Sequence, residues 1–115
     1  MAVDQDLLLM LKGAELGEGE PDLGAKLMSA FLKTLLEGGR LPARIVCMNS
    51  AVFLTTEGSP VLETMKEFER AGSTVLSCAT CLNYYGRQEQ LRVGAPTNMK
   101  DTVEAMLDFA VTLAP

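Results

Sequence analysis

The sequence predicts an α/β protein, a mainly parallel sheet of four to five strands with helices packed on both faces. Three observations predict it. Strand-length and helix-length apolar patterns alternate along the chain. The first three strand candidates are continuous apolar runs rather than alternating ones, so both of their faces are covered. The helix candidates between them carry apolar residues at helical spacing on one side only.

Leu7–Leu11 (LLLML) is the first strand, and the Gly- and Glu-rich segment Lys12–Glu20 is a loop. Pro21 suits the first position of a helix. Leu23, Leu27, Met28, Phe31, Leu32 and Leu35 then fall on one helical face, and Gly38-Gly39 stops that helix. Ala43–Met48 is the second strand. A polar turn region over Asn49–Gly58 follows, interrupted by Ala51–Leu54. Ser59-Pro60 signals a helix start whose inner face is Val61, Leu62, Met65 and Phe68, closed by Gly72. Ser73–Ser77 is the third strand, and Thr80–Tyr85 a short helix closed by Gly86. Leu91–Val93 is expected as a brief fourth strand. Asn98 caps a last helix with Asp101 in its first turn, and Val103, Met106, Leu107 and Ala110 are expected on its inner face. Ala110–Leu113 is either the end of that helix or a fifth strand.

The 115 residues, 48% of them apolar, read as one domain spanning 1–115 with enough chain to bury a core. No window approaches the roughly 20 apolar residues of a membrane helix. The start, MAVDQDLLLML, lacks the basic residues and long apolar stretch of a signal peptide. That start and the three cysteines, an odd count, point to the reducing cytoplasm. A net charge of −5 with scattered basic residues argues against a nucleic-acid surface. Histidine is absent, which removes the commonest general base and metal ligand.

Gly13, Gly17 and Gly19 match no phosphate-binding spacing, and Glu15, Glu18, Glu20 and Asp22 would repel a phosphate, so this is an acidic loop. Cys47, inside an apolar strand, reads as core. Cys78-Ala-Thr-Cys81 is different. It follows a strand and opens a helix, where unpaired N–H groups stabilise a thiolate, and Arg87 lies close in sequence. Structural zinc normally takes four ligands, and the chain offers three cysteines and no histidine, so neither a metal nor a cofactor is expected. A redox dithiol, a sulfur-carrying nucleophile and two inert core thiols stay open from these residues alone.

Asn49–Gly86, followed by Val93-Gly94 and Thr97-Asn98-Met99, resembles the C-terminal, DsrE-like domain of YedF-type sulfurtransferase-like selenium-metabolism proteins. The match rests on an NSGV-like turn, here Asn49–Val52, on the TTEGS segment Thr55–Ser59, on the SCGTCL-like Ser77–Leu82, and on Thr97–Met99 before the last helix. Leu16–Gly19, Leu23-Gly24, Leu27-Met28 and Phe31 match the family's first loop and helix, so the resemblance spans roughly residues 16 to 110.

The resemblance implies a three-layer α/β/α fold and a homo-oligomer, trimeric or hexameric. It implies that Cys78 holds sulfur, or selenium, as a persulfide, and that Cys81 is the second cysteine of the narrower family. In the expected mechanism the Cys78 thiolate takes the outer sulfur of a donor persulfide and an acceptor thiolate removes it. Alternatively, Cys81 attacks the loaded Cys78 and releases sulfide. Ala79, Thr80 and Leu82 would supply backbone donors, Tyr84 or Tyr85 a hydroxyl, and Asn49 and Ser50 the facing wall of the cleft. Ala79 stands where the family usually has Gly, and Tyr84-Tyr85 stand where sulfur carriers often have arginines. A TusA-like carrier, or another persulfide donor, is expected as a separate protein. A non-catalytic oligomeric binding module with structural cysteines is the competing expectation.

Overall fold

The computed structural model describes residues 2–115. Five strands, β1 (Ala2–Leu11), β2 (Arg40–Cys47), β3 (Thr74–Cys78), β4 (Ala95–Thr97) and β5 (Val111–Leu113), form one sheet in the order β4-β3-β2-β1-β5. Every pairing is parallel. The helices are α1 (Pro21–Glu37), α2 (Leu62–Arg70), α3 (Ala79–Tyr84) and α4 (Met99–Asp108), with a 3-10 segment over Asn49–Leu54. The expected α/β architecture with a five-stranded parallel sheet between helices is therefore present.

The continuous apolar runs are explained by strand alternation. In β1, Leu9 and Leu11 pack with Met28 and Leu32 of α1, Met65 and Phe68 of α2, and Ile45 and Cys47 of β2. Leu8 and Met10 point the other way and meet Val46 and Ala105 of α4. Both faces of the sheet are thus buried, each under its own helices. The β1–β2 register shifts between Asp4 and Leu8, where Asp4 Oδ1 accepts the Asp6 N–H at 2.9 Å.

Four expectations are corrected. Leu91–Val93 is not the fourth strand: Leu91 makes only an isolated antiparallel bridge to Thr56, and Val93 drops into the core. The fourth strand is Ala95–Thr97, hidden in the sequence by Pro96, which an edge strand tolerates. The inner face of α4 is Thr102 and Ala105; Val103, Met106 and Leu107 are 41%, 44% and 79% exposed, and Ala110 is exposed too. The smaller Thr102 and Ala105 take the buried side of that helix, and its larger apolar residues are left facing outward. Leu23 and Leu27 of α1 are likewise exposed rather than inward. Finally, α2 begins at Leu62 and not at Pro60. Ser59 Oγ accepts the Val61 N–H at 3.1 Å and holds a turn ahead of the helix.

Two open points resolve. Val111–Leu113 is a strand, paired with β1 at Leu7–Leu9. The loop after β1, expected as an acidic loop, is tied down at two points: Ser50 Oγ accepts the Ala14 N–H, and Leu16 N–H donates to the Gly24 carbonyl, each at 3.0 Å.

Candidate functional site

The site lies at the carboxyl ends of β2 and β3, where loops of a parallel sheet gather. The strand β3 runs directly into α3. Cys78 is its last residue and the N-cap of the helix, and Cys81 lies one turn further on. All three cysteines are free thiols. Cys78 is 8% exposed and Cys81 is half-buried. They share an open cleft of about 530 Å³ with Met48, Asn49, Thr80, Tyr84, Tyr85 and Met99. None of these lining side chains is charged.

Asn49 links the two walls. Its φ of +55° is the one positive value at a non-glycine position among the described residues. Asparagine tolerates that left-handed turn better than most side chains. The turn aims the Asn49 N–H at Cys81 Sγ, 3.0 Å away. Its side chain is held in place as well: Oδ1 accepts the Ser50 N–H at 2.9 Å and the Tyr85 hydroxyl at 3.3 Å. The Tyr85 ring packs on Phe53 at 4.6 Å and edge-on to Tyr84 at 5.2 Å.

The thiols differ in their surroundings. Burial pushes the Cys47 thiol up to about 12, which makes it inert at ordinary pH. Alternation along the strands puts Cys47 on the α1/α2 face, whereas Cys78 follows Leu76 toward the other face. Two of the three thiols therefore converge here. The Cys81 thiol is also raised, first by burial and then by the Cys78 thiol beside it, while the Asn49 N–H pulls it back down.

Of the residues expected here, Asn49, Thr80, Tyr84, Cys78 and Cys81 come together. Three do not join them, one of which, Leu82, is buried away from the cleft lining. Ser50 turns away to anchor the loop after β1, and Ala79 is exposed and does not line the cleft. Ala79 opens a right-handed helix and its φ is not positive, so its methyl group meets no conformational penalty there. Arg87 does not enter the cleft either. Its guanidinium stacks on Phe53 at 4.9 Å, and Nη1 donates to the Glu57 carbonyl at 3.3 Å. Met48 and Met99 were not foreseen. Met48 follows β2 and obeys the same strand-end rule that flagged Asn49. Met99 arrives from α4, and no local pattern marks it.

No protein-family model matches the sequence, and no curated protein matches it significantly. Solved structures do match over nearly the whole chain. The YchN protein of E. coli aligns with a TM-score of 0.69 at 18% identity, covering 97% of this chain and 100% of that one. BT1422 of Bacteroides thetaiotaomicron, titled a conserved protein of unknown function, aligns at 0.66 and 16% identity over 96% and 95%. MTH1491 of Methanobacterium thermoautotrophicum, also titled of unknown function, aligns at 0.69 and 14% over 97% and 100%. The chain shares with these proteins the DsrE-like fold.

Proposed function

We propose that this protein carries sulfur as a persulfide on Cys78, in the manner of the YedF-type proteins its motifs resemble, with selenium as the alternative cargo. The observation that carries the reading is the placement of two free thiols, one helical turn apart, on an uncharged cleft at the carboxyl end of a parallel sheet. A structural pair would have no need of the cleft. The net reaction is thiol–persulfide exchange. The S–S bond to the outer sulfur breaks in the donor and forms at Cys78, and the donor leaves as its thiolate. An acceptor thiolate later takes the same sulfur and frees Cys78. No net oxidation occurs.

The lining fits that cargo. Thioether and aromatic groups are polarisable and suit a sulfane sulfur, and the lack of cationic side chains disfavours small anionic donors. A separate carrier protein, such as a TusA-like one, is the donor or acceptor we assign, and the cytoplasm is the compartment. No described helix is long and apolar enough to cross a membrane.

The test is mass spectrometry of the intact protein after incubation with a cysteine desulfurase and cysteine. The expected result is one added sulfur, reversed by dithiothreitol and located on Cys78 by tandem fragmentation. No adduct in the presence of a competent donor would favour the second reading, a binding and assembly module. Exposed apolar surface supports that alternative. A groove of about 700 Å³ between α1 and β5 is lined by Leu7, Leu27, Phe31, Leu35, Val111 and Leu113, and soluble monomers seldom leave such surface open. We assign this groove to a homo-oligomer contact, trimeric or hexameric, under either reading.

A further inference from the structure

We propose that Cys81 is the exchange thiol through which sulfur enters and leaves, that Cys78 stores it, and that Asn49 is the positioning residue that arms Cys81. The inference rests on the persulfide reading above. It starts from an asymmetry. Cys78 is 8% exposed, whereas Cys81 is half-buried and faces the open cleft. A bulky donor meets Cys81 first. Cys81 also has the one directed donor at this site, the Asn49 N–H at 3.0 Å from its sulfur. That hydrogen bond favours the thiolate, working against the burial and the Cys78 thiol that hold the Cys81 thiol above its ordinary value.

The arrangement around Asn49 serves that one contact. Its left-handed φ of +55° turns the N–H toward the sulfur, and Tyr85 and Ser50 hold its side chain so that the turn persists. A non-glycine residue kept in that conformation by its neighbours is a common mark of a functional position.

Two balanced steps follow. In the first, the Cys81 thiolate attacks the outer sulfur of the donor persulfide; the new S–S bond forms on Cys81 and the donor departs as its thiolate. In the second, Cys78 attacks that outer sulfur. The S–S bond moves from Cys81 to Cys78, and the proton of the Cys78 thiol passes to the released Cys81 sulfur. Both steps exchange one S–S bond for another, so neither needs an oxidant or a reductant. Storage on the more buried thiol then shields the sulfane sulfur from solution thiols until an acceptor draws it back through Cys81.

The test is quenched-flow loading with a cysteine desulfurase and cysteine, read by mass spectrometry, on the parent, Cys81→Ser and Cys78→Ser. Loading of Cys78 is expected to slow at least about tenfold in Cys81→Ser, because exchange rates follow thiolate fraction and access. Cys78→Ser is expected to take sulfur onto Cys81 and to lose it to dithiothreitol faster than the parent does. Alkylation of Cys81 by iodoacetamide in the Cys78→Ser background should slow several-fold with Asn49→Val, which disfavours a positive φ, and recover with Asn49→Gly, which accepts it. If Cys81→Ser loads Cys78 at the parental rate, the relay is overturned and the carrier reading stands. If Cys78→Ser takes no sulfur on Cys81, the relay is likewise overturned. If the parent takes no sulfur at all, both fail. If Asn49→Val alkylates like the parent, the positioning role is removed.

Discussion

Gly94 lies against the backbone of Val75: a methyl group on its Cα would sit 1.9 Å from the Val75 carbonyl oxygen and 2.7 Å from the carbonyl carbon. Its φ of +74° is also unsuited to an L side chain. The contact explains how the chain passes from Val93, buried in the core, into the edge strand β4 beside β3. Gly94→Ala therefore faces a steric clash and backbone strain together. We expect a loss of about 3 kcal/mol or more, since overpacking alone typically costs 1–3 kcal/mol. Chemical denaturation of the two proteins checks it; an unchanged midpoint would rule out the close approach.

Thr55 and Ser77 form a buried hydroxyl pair, 2.7 Å apart, beneath the site. The single Thr55 proton goes to the Val52 carbonyl at 3.1 Å, so Ser77 is the donor within the pair. Thr55→Val leaves a buried Ser77 hydroxyl without an acceptor, while the Val52 carbonyl keeps the Thr55 backbone N–H at 3.3 Å. It should cost about 1–3 kcal/mol, more than Ser77→Ala, and the double substitution should cost less than the two singles summed. A double-mutant cycle by urea unfolding reads the coupling directly. Additive losses would mean that the two hydroxyls do not support one another.

Cys47 couples stability to alkaline pH. Its thiol ionises near 9.0 when exposed and near 12 when buried in the fold. Below pH 9 both states keep the proton and the group has no effect on the pH dependence. Between about 9 and 12 the unfolded chain releases a proton that the folded chain retains. Stability then falls by about 1.4 kcal/mol per pH unit, about 4 kcal/mol in all. Cys47→Ala should flatten the stability profile over that window relative to the parent. Iodoacetamide at neutral pH should reach Cys81 in the folded protein and Cys47 only after unfolding. Early labelling of Cys47 would contradict its burial.

The groove between α1 and β5 predicts assembly. Leu27 sits on its rim and is 44% exposed, so a charge there harms the isolated chain little. Leu27→Glu should leave the unfolding midpoint of dilute protein near the parental value but shift the light-scattering mass toward the monomer. A parent that already scatters as a monomer at micromolar concentration would remove this assignment.

The first three strands, the helices and the parallel sheet were legible because each depends on local pattern, whereas the fourth strand, Ala95–Thr97, was not. The runs Leu7–Leu11 and Ile45–Cys47 are apolar on both faces because helices cover both sides, and that requirement is written residue by residue. The junction of β3 with α3, with Cys78 at its corner, was legible for the same reason. The sequence by itself determined that two thiols would stand one turn apart at a strand end. Only the tertiary structure decided what faces them. Asn49 was expected in the cleft, but its N–H contact to Cys81, 32 positions away, was not, and Met99 comes from another helix. The outward turn of Val103, Met106 and Leu107 was hidden too. Amphipathicity shows that a helix has an apolar side, but it is Thr102 and Ala105 that are buried against the sheet. Local pattern encodes burial in the average; which groups meet across the fold is settled by packing over long sequence separations, and that is where the chemistry of this cleft arises.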